Sequence, residues 1–225
     1  MSQALRVDLG DPASSGAALD AAAAALAAGE LVVLPTETVF GIAARPDLPG
    51  ATARLFVAKR RPRGLNLPVL AATATAALDL AAPRPGAEAL AARFWPGPLT
   101  LVLPRGPRSR PFDLGEDLDT VGLRVPGFAP ALALLERAGP LAVTSANRSG
   151  EPPAADLAGL RDAFGDLVAV YLVPGGPWSG GAPSTVVDLT GPRARILRPG
   201  PVGARELAAA LAGPGVEVDS VDFRV

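Results

Sequence analysis

Short apolar runs, each closed by proline, glycine or a charged residue, alternate along this chain with alanine-rich stretches of helical length. Apolar runs of strand length between turn formers read as buried strands. They fall at 31–34, 68–72, 99–103, 121–125, 141–144, 167–173, 185–189 and 195–197. Helices are expected between an N-cap at Ser14-Ser15 and a glycine stop at Gly29, and over 51–60, 73–81, 87–94, 129–138, 155–164 and 203–211. Alternation of this kind argues for a sheet with helices packed on it. The strands on either side of Gly191 are joined too tightly for a crossover helix, so they are expected to be antiparallel and the sheet mixed. No internal repeat or linker interrupts the pattern. All 225 residues therefore read as one α/β domain with a core over about 12–212.

Composition narrows the chemistry. With no histidine and no cysteine, the chain cannot build a Ser-His-Asp triad, a thiolate nucleophile or a histidine- or thiolate-ligated metal site. Any reaction must use Lys, Arg, Ser, Thr, carboxylates, backbone groups or a bound cation. A formal net charge of −1 disfavours general nucleic-acid binding through a basic surface, though not a local basic pocket. The first ten residues lack the basic and apolar segments of a signal peptide. The alanine run at 21–28 is too short to span a bilayer, so no membrane partner is expected and the default location is cytoplasmic.

Positive charge is carried almost wholly by arginine: Lys59 is the sole lysine. A lysine is a compact point charge where an arginine is a planar fork. Lys59 ends a helix that Pro62 stops, and Arg61 follows on an extended link, so the two could converge on one anion, with Arg63 close by. Cations decorating a helix C-terminus are the plainer alternative, which the local sequence alone favours. Ser145-Ala146-Asn147 follows an apolar strand, where open α/β sheets bind ligands, although an ordinary turn would look the same. Pro35-Thr36-Glu37-Thr38 also follows a strand. Thr36 and Thr38 could hydrogen-bond a small polar substrate, and Glu37 could contact a cation or amine. Arg124, between Leu123 and Val125, needs a carboxylate or phosphate partner if buried. Ser184-Thr185 and Arg198 flank a glycine-rich stretch. There is no GxxxxGK[ST] loop and no GxGxxG after a strand, so any nucleotide must be held by scattered cations.

Taken in order, LPTETVFGIA from Leu34, AKRRPRGLNLPV from Ala58, FWPGPLTLVL from Phe94, TVGLRVP from Thr120, PLAVTSANRSG from Pro140, and STVVDL and RILRPG near the end resemble the YrdC-like family of threonylcarbamoyl-AMP synthases. Its K-x-R…S-x-N signature falls on Lys59, Arg61, Ser145 and Asn147. The resemblance implies an open, twisted mixed sheet with helices packed on it around a positively charged cavity. It implies a nucleotidyltransferase that joins L-threonine, bicarbonate and ATP into threonylcarbamoyl-adenylate and pyrophosphate. It implies Lys59 and Arg61 as catalytic, and Thr36, Arg124, Val143 and Ser184 around threonine. Nucleotide would lie near Lys59, Arg61, Arg63, Asn66, Thr120, Ser145, Asn147 and Arg198. Mg2+ would ride on the ATP phosphates with no protein metal site. A transferase partner would pass the group to tRNA, itself a candidate partner. Two departures are Ala72 where many members carry histidine, and Pro153 where many carry serine nearby. Only 25 residues follow Gly200, which matches the short form of the family. The rival readings are a carbamoyl-adenylate-forming enzyme and a structured-RNA-binding module.

Overall fold

The computed structural model describes residues 2–7, 12–175, 178 and 180–219. The tail at 221–225 lies outside what it describes, and Ser14 and Ser15, expected as an N-cap, lie within the first helix, Pro12–Ala27. Ten strands form one mixed sheet. They are β1 (Gln3–Val7), β2 (Val32–Leu34), β3 (Gly41–Ala44), β4 (Val69–Leu70), β5 (Leu99–Pro104), β6 (Thr120–Arg124), β7 (Leu141–Ser145), β8 (Val170–Pro174), β9 (Thr185–Asp188) and β10 (Arg195–Arg198). Across the sheet the order is β1-β8-β2-β3-β7-β4-β6-β5-β9-β10. Strands β1, β8 and β2 run parallel, as do β4 with β6 and β5 with β9; the other neighbours are antiparallel. The pair flanking Gly191 is antiparallel, as its short connection requires.

The helices are α1 (Pro12–Ala27), α2 (Ala51–Lys59), α3 (Ala74–Leu78), α4 (Ala87–Phe94), α5 (Ala129–Ala138), α6 (Leu157–Phe164) and α7 (Ala204–Leu211). Helix α1 stops as its sequence requires. Gly29 takes a left-handed φ of 77°, and the amides of Gly29 and Glu30 return to the carbonyls of Leu26 and Ala25. Helix α2 ends the same way without a glycine. Arg60 sits at φ 51°, and the amides of Arg60 and Arg61 bond the carbonyls of Val57 and Phe56. The reversal thus comes two residues before Pro62 and turns Arg61 away from the helix axis.

The two sheet faces are covered unequally, and this creates the site. On one face, α2, α3, α4, α6 and α7 bury one side of the strands, including Leu99, Leu101, Leu103, Val121 and Leu123. Because side chains alternate along a strand, Thr100, Val102, Thr120, Gly122 and Arg124 point the other way. On that second face α1 and α5 pack over β1, β8, β2, β3 and β7, burying Val7, Leu34, Leu141, Val143 and Leu172. No helix among the described residues covers the second face over β6, β5 and β9, where the sheet forms the floor of a cavity.

Two strands were not anticipated. Strand β1 lies on the sheet edge with an irregular burial pattern, and its partner β8 is far along the chain. Strand β3 is buried throughout, lies between β2 and β7, and shows no polar alternation. Strand β8 begins later than the apolar run because residues 165–167 close α6 in a 3-10 turn.

Candidate active site

The cavity has a volume of about 380 Å3, within the range of small-molecule sites. Strand ends and the loops that follow them bring Thr36, Arg61, Asn66, Thr120, Arg124, Val143, Ser145, Asn147, Ser184 and Arg198 to its walls. Lys59 and Arg63 are not on those walls. Pro153 is on them, while Ala72 packs at the edge of the α1/α5 core.

Lys59 departs most from the sequence expectation. It is 1% exposed, deep beneath the Ser145-Ala146-Asn147 turn. Its Nζ donates to the carbonyls of Ser145 and Asn147, and its own carbonyl accepts the amide of Ser149. The lysine therefore braces the turn from below instead of lying open to a ligand. Only a thin ammonium can enter such a narrow carbonyl nest. Burial, aided by the neighbouring charge of Arg61, pulls its pKa down to about 8.

Arg63 is turned outward. It pairs with the half-exposed Asp113 and lies 4.8 Å over the Phe56 ring, off the cavity wall. Thr36 does line the cavity, but its hydroxyl is committed to its own turn. It donates to the Val39 carbonyl at 2.6 Å and accepts the amides of Thr38 and Val39. Those bonds make it a brace, not a free substrate contact.

The remaining cations form a row. Burial lowers the pKa of Arg61, which also feels Arg198; burial lowers that of Arg198, which also feels Arg124. Of these three, Arg124 alone forms an ion pair among the described residues, with Glu37 at 2.7 Å. Arg61 donates to the carbonyls of Leu65 and Asn66. Arg198 holds the Ser184 carbonyl and, at 3.0 Å, its Oγ, which lies 2.8 Å from Thr100 Oγ1. A guanidinium carries five N–H donors, so Arg61 and Arg198 each retain some for a ligand. Uncompensated cations crowded this closely favour a polyanion.

Next to Arg61, Asn66 is fixed by two bonds to the backbone of Asp117, and the Asp117 carboxylate takes the Thr120 hydroxyl. Thr100 was not anticipated, although a threonine between Leu99 and Leu101 marks a strand face turned from the core. Glu37 meets a cation, as its sequence context suggested, and that cation is Arg124. Arg105 gave no signal, because nothing in the charged loop that follows it marks the carbonyls it gathers.

The turn carrying Arg198 depends on Gly200. A Cβ there would lie 2.4 Å from the Thr185 amide nitrogen and 2.6 Å from the Pro183 carbonyl oxygen. Backbone on several sides cannot give way. Gly200→Ala is expected to cost about 1–3 kcal/mol, read as a lower midpoint in thermal unfolding.

The family profile Sua5_yciO_yrdC, described as "Telomere recombination", matches residues 24–200. The chain belongs to the Sua5/YciO/YrdC family. A Mycobacterium tuberculosis (strain H37Rv) member, provisionally named a threonylcarbamoyl-AMP synthase, is 43% identical over 215 residues, covering 95% of this chain and 97% of that one. The threonylcarbamoyl-AMP synthase of Bacillus subtilis (strain 168) is 38% identical over 201 residues, covering 88% of this chain and 57% of that protein. Among solved members of the Sua5/YciO/YrdC family, P. abyssi Sua5 complexed with L-threonine superimposes with a TM-score of 0.83 at 32% identity. That match covers 98% of this chain and 65% of the P. abyssi chain. The open mixed sheet with helices is therefore the family's own fold.

Proposed function

We infer that this chain is a threonylcarbamoyl-AMP synthase. It joins L-threonine, bicarbonate and ATP into threonylcarbamoyl-AMP, with release of pyrophosphate and water, ahead of threonylcarbamoyladenosine formation in tRNA. One observation carries the reading: a synthase-named relative matches 95% of this chain over 97% of its own length at 43% identity. The cavity supports it, since its arginines offer donors for phosphate and carboxylate while its floor supplies hydroxyls.

The chemistry suits a site without histidine or cysteine. The threonine amine and bicarbonate combine to a carbamate with loss of water. A carbamate oxygen then bonds to the α-phosphorus of ATP as the bond from that phosphorus to the β-bridging oxygen breaks. No protein nucleophile is needed, so the protein's part is positioning and charge stabilisation. In this proposal Arg61 and Arg198 face the phosphates, while Asn66, Thr120 and the Ser145–Asn147 turn orient the nucleoside. Arg124 takes the threonine carboxylate, with Ser184 and Val143 beside it. Lys59 acts through the turn it braces.

Mg2+ is proposed to enter on the ATP phosphates and neutralise part of their charge. Among the described residues there is no group of three or more carboxylates that could cage it. The product is a mixed anhydride, so a transferase must receive it before water does, and tRNA is the final acceptor. That reading places the chain in the cytoplasm; among the described residues no helix is long and apolar enough to cross a membrane. The whole chain is proposed to work as one domain.

The test is pyrophosphate release with ATP, bicarbonate and single amino acids. Release that needs threonine and bicarbonate is expected. Release driven by carbamoyl phosphate instead, or RNA binding without turnover, would overturn the reading.

A further inference from the structure

Arg124 is held in place before any ligand arrives. It is 7% exposed. Its Nε donates to the Gly97 carbonyl at 3.0 Å, its Nη1 to Thr38 Oγ1 at 3.1 Å, and its Nη2 to Glu37 Oε1 at 2.7 Å. Three of the five guanidinium donors are used. One N–H on each terminal nitrogen takes no partner among the described residues, and Arg124 is part of the cavity wall. Glu37 is not part of that wall. It lies close to Gly127, and among the described residues its second oxygen, Oε2, is buried without a hydrogen bond.

This arrangement is unusual for a carboxylate hook. An arginine meant only to capture an anion would be left unpaired. Here the protein supplies its own carboxylate to the same guanidinium, from a residue that does not line the cavity. A short charge-assisted bond at one corner fixes the roll of a planar fork that the Nε and Nη1 bonds hold at two others. It also offsets a charge that otherwise adds to that of Arg198, the next cation in the row.

We propose that Glu37 is a positioning residue for the amino-acid substrate. It sets the Arg124 fork so that its unpartnered Nη1 and Nη2 hydrogens meet the substrate carboxylate together, and it balances the arginine's charge until that carboxylate arrives. This rests on the synthase reading given above. Two consequences distinguish it from a merely structural role. Discrimination between a carboxylate and a neutral amide at this end of the substrate depends on Glu37. Small anions, excluded while Arg124 is balanced, gain access when Glu37 is neutralised.

The experiment compares wild type, Glu37→Gln and Glu37→Ala by pyrophosphate release and by calorimetric binding of L-threonine. The KM for threonine is expected to rise by about 10-fold to 10²-fold, with the KM for ATP unchanged. The preference for L-threonine over L-threoninamide should collapse in both variants. Chloride should become a competitor of threonine in Glu37→Ala and remain indifferent in wild type. If either variant fails to fold, Glu37→Asp keeps the charge on a shorter arm, and a raised threonine KM there carries the same meaning. Unchanged threonine binding, or KM values for ATP and threonine rising together, would overturn the role of Glu37 alone. Absence of threonine-dependent turnover in wild type would overturn the synthase reading and this inference with it.

Discussion

Lys59→Ala is expected to lower kcat/KM by at least about 10²-fold and to lower the thermal midpoint as well. The two halves of this expectation come from one geometry. The ammonium is buried and bonded to the carbonyls of Ser145 and Asn147. Removing it frees a turn that forms part of the cavity wall, so the end of the site proposed to hold nucleotide loses its shape. It also leaves two carbonyls without their buried ammonium donor and a cavity where the side chain lay, so the fold loses stability too. Lys59→Arg should fail as well, because a planar fork cannot enter the space an ammonium fills. Steady-state kinetics with ATP varied, alongside thermal unfolding, checks both. A wild-type rate in Lys59→Ala would detach the turn from catalysis.

The same lysine predicts a pH dependence in which activity and stability part. Its pKa lies near 8 in the folded chain, lowered from the ordinary lysine value by burial and by Arg61. Below pH 8 folded and unfolded chains both carry the proton, and the native state bears the cost of burying the charge. Between about 8 and the ordinary lysine value the native state sheds its proton first. By linkage, this group's contribution to stability rises with pH over that window. The brace, however, loses its charge there. kcat/KM should fall on the alkaline side near pH 8 while the fold persists, and Lys59→Met should lack that limb.

How far the sequence could be read follows from the range of each interaction. Helix ends were legible because caps and stops act within a few residues, as at Gly29, and as at Thr73, whose hydroxyl accepts the Ala76 amide. Strand β3 was not, because burial on both faces erases alternation. The cavity's members were legible as hydroxyl, amide and cationic residues at strand ends. Their roles were less so. Nothing local to Lys59 says that it points into a carbonyl nest formed by residues near 145. Nothing local to Thr36 says that its hydroxyl is used by its own turn. Arg63 and Arg61 are alike in sequence, yet the reversal at Arg60 turns one to the cavity and leaves the other with Asp113.

Arg105 is the clearest case of a residue that only the fold explains, and its loss is expected to be severe. In sequence it begins a charged, proline-rich loop with no sign of burial. In the structure it is 5% exposed. Its Nε donates to Thr120 O, its Nη1 to Phe112 O and Ser109 O, and its Nη2 to Asp117 O. One guanidinium therefore gathers the loop between β5 and β6 onto itself, and desolvation lowers its pKa against the opposing pull of Asp117, Asp113 and Asp119. Arg105→Met keeps the length of the side chain but leaves those carbonyls without donors. Breaking a buried charged network of this kind costs about 3–5 kcal/mol. For a chain of this size each kcal/mol moves the midpoint by about 2–4 °C, so a fall of roughly 10 °C is expected in thermal unfolding. Arg105→Lys should recover little, since an ammonium cannot reach carbonyls spread around a planar fork. Activity should suffer beyond stability. Asp117 holds Asn66 through its backbone and Thr120 through its carboxylate, so a slack loop displaces the wall proposed to face the nucleotide. At a temperature where Arg105→Met remains folded, the KM for ATP should rise more than the KM for threonine, whose proposed contacts Arg124 and Ser184 lie on other elements. An equal rise in both would mean that Arg105 supports the fold as a whole and has no particular tie to the Asn66 wall.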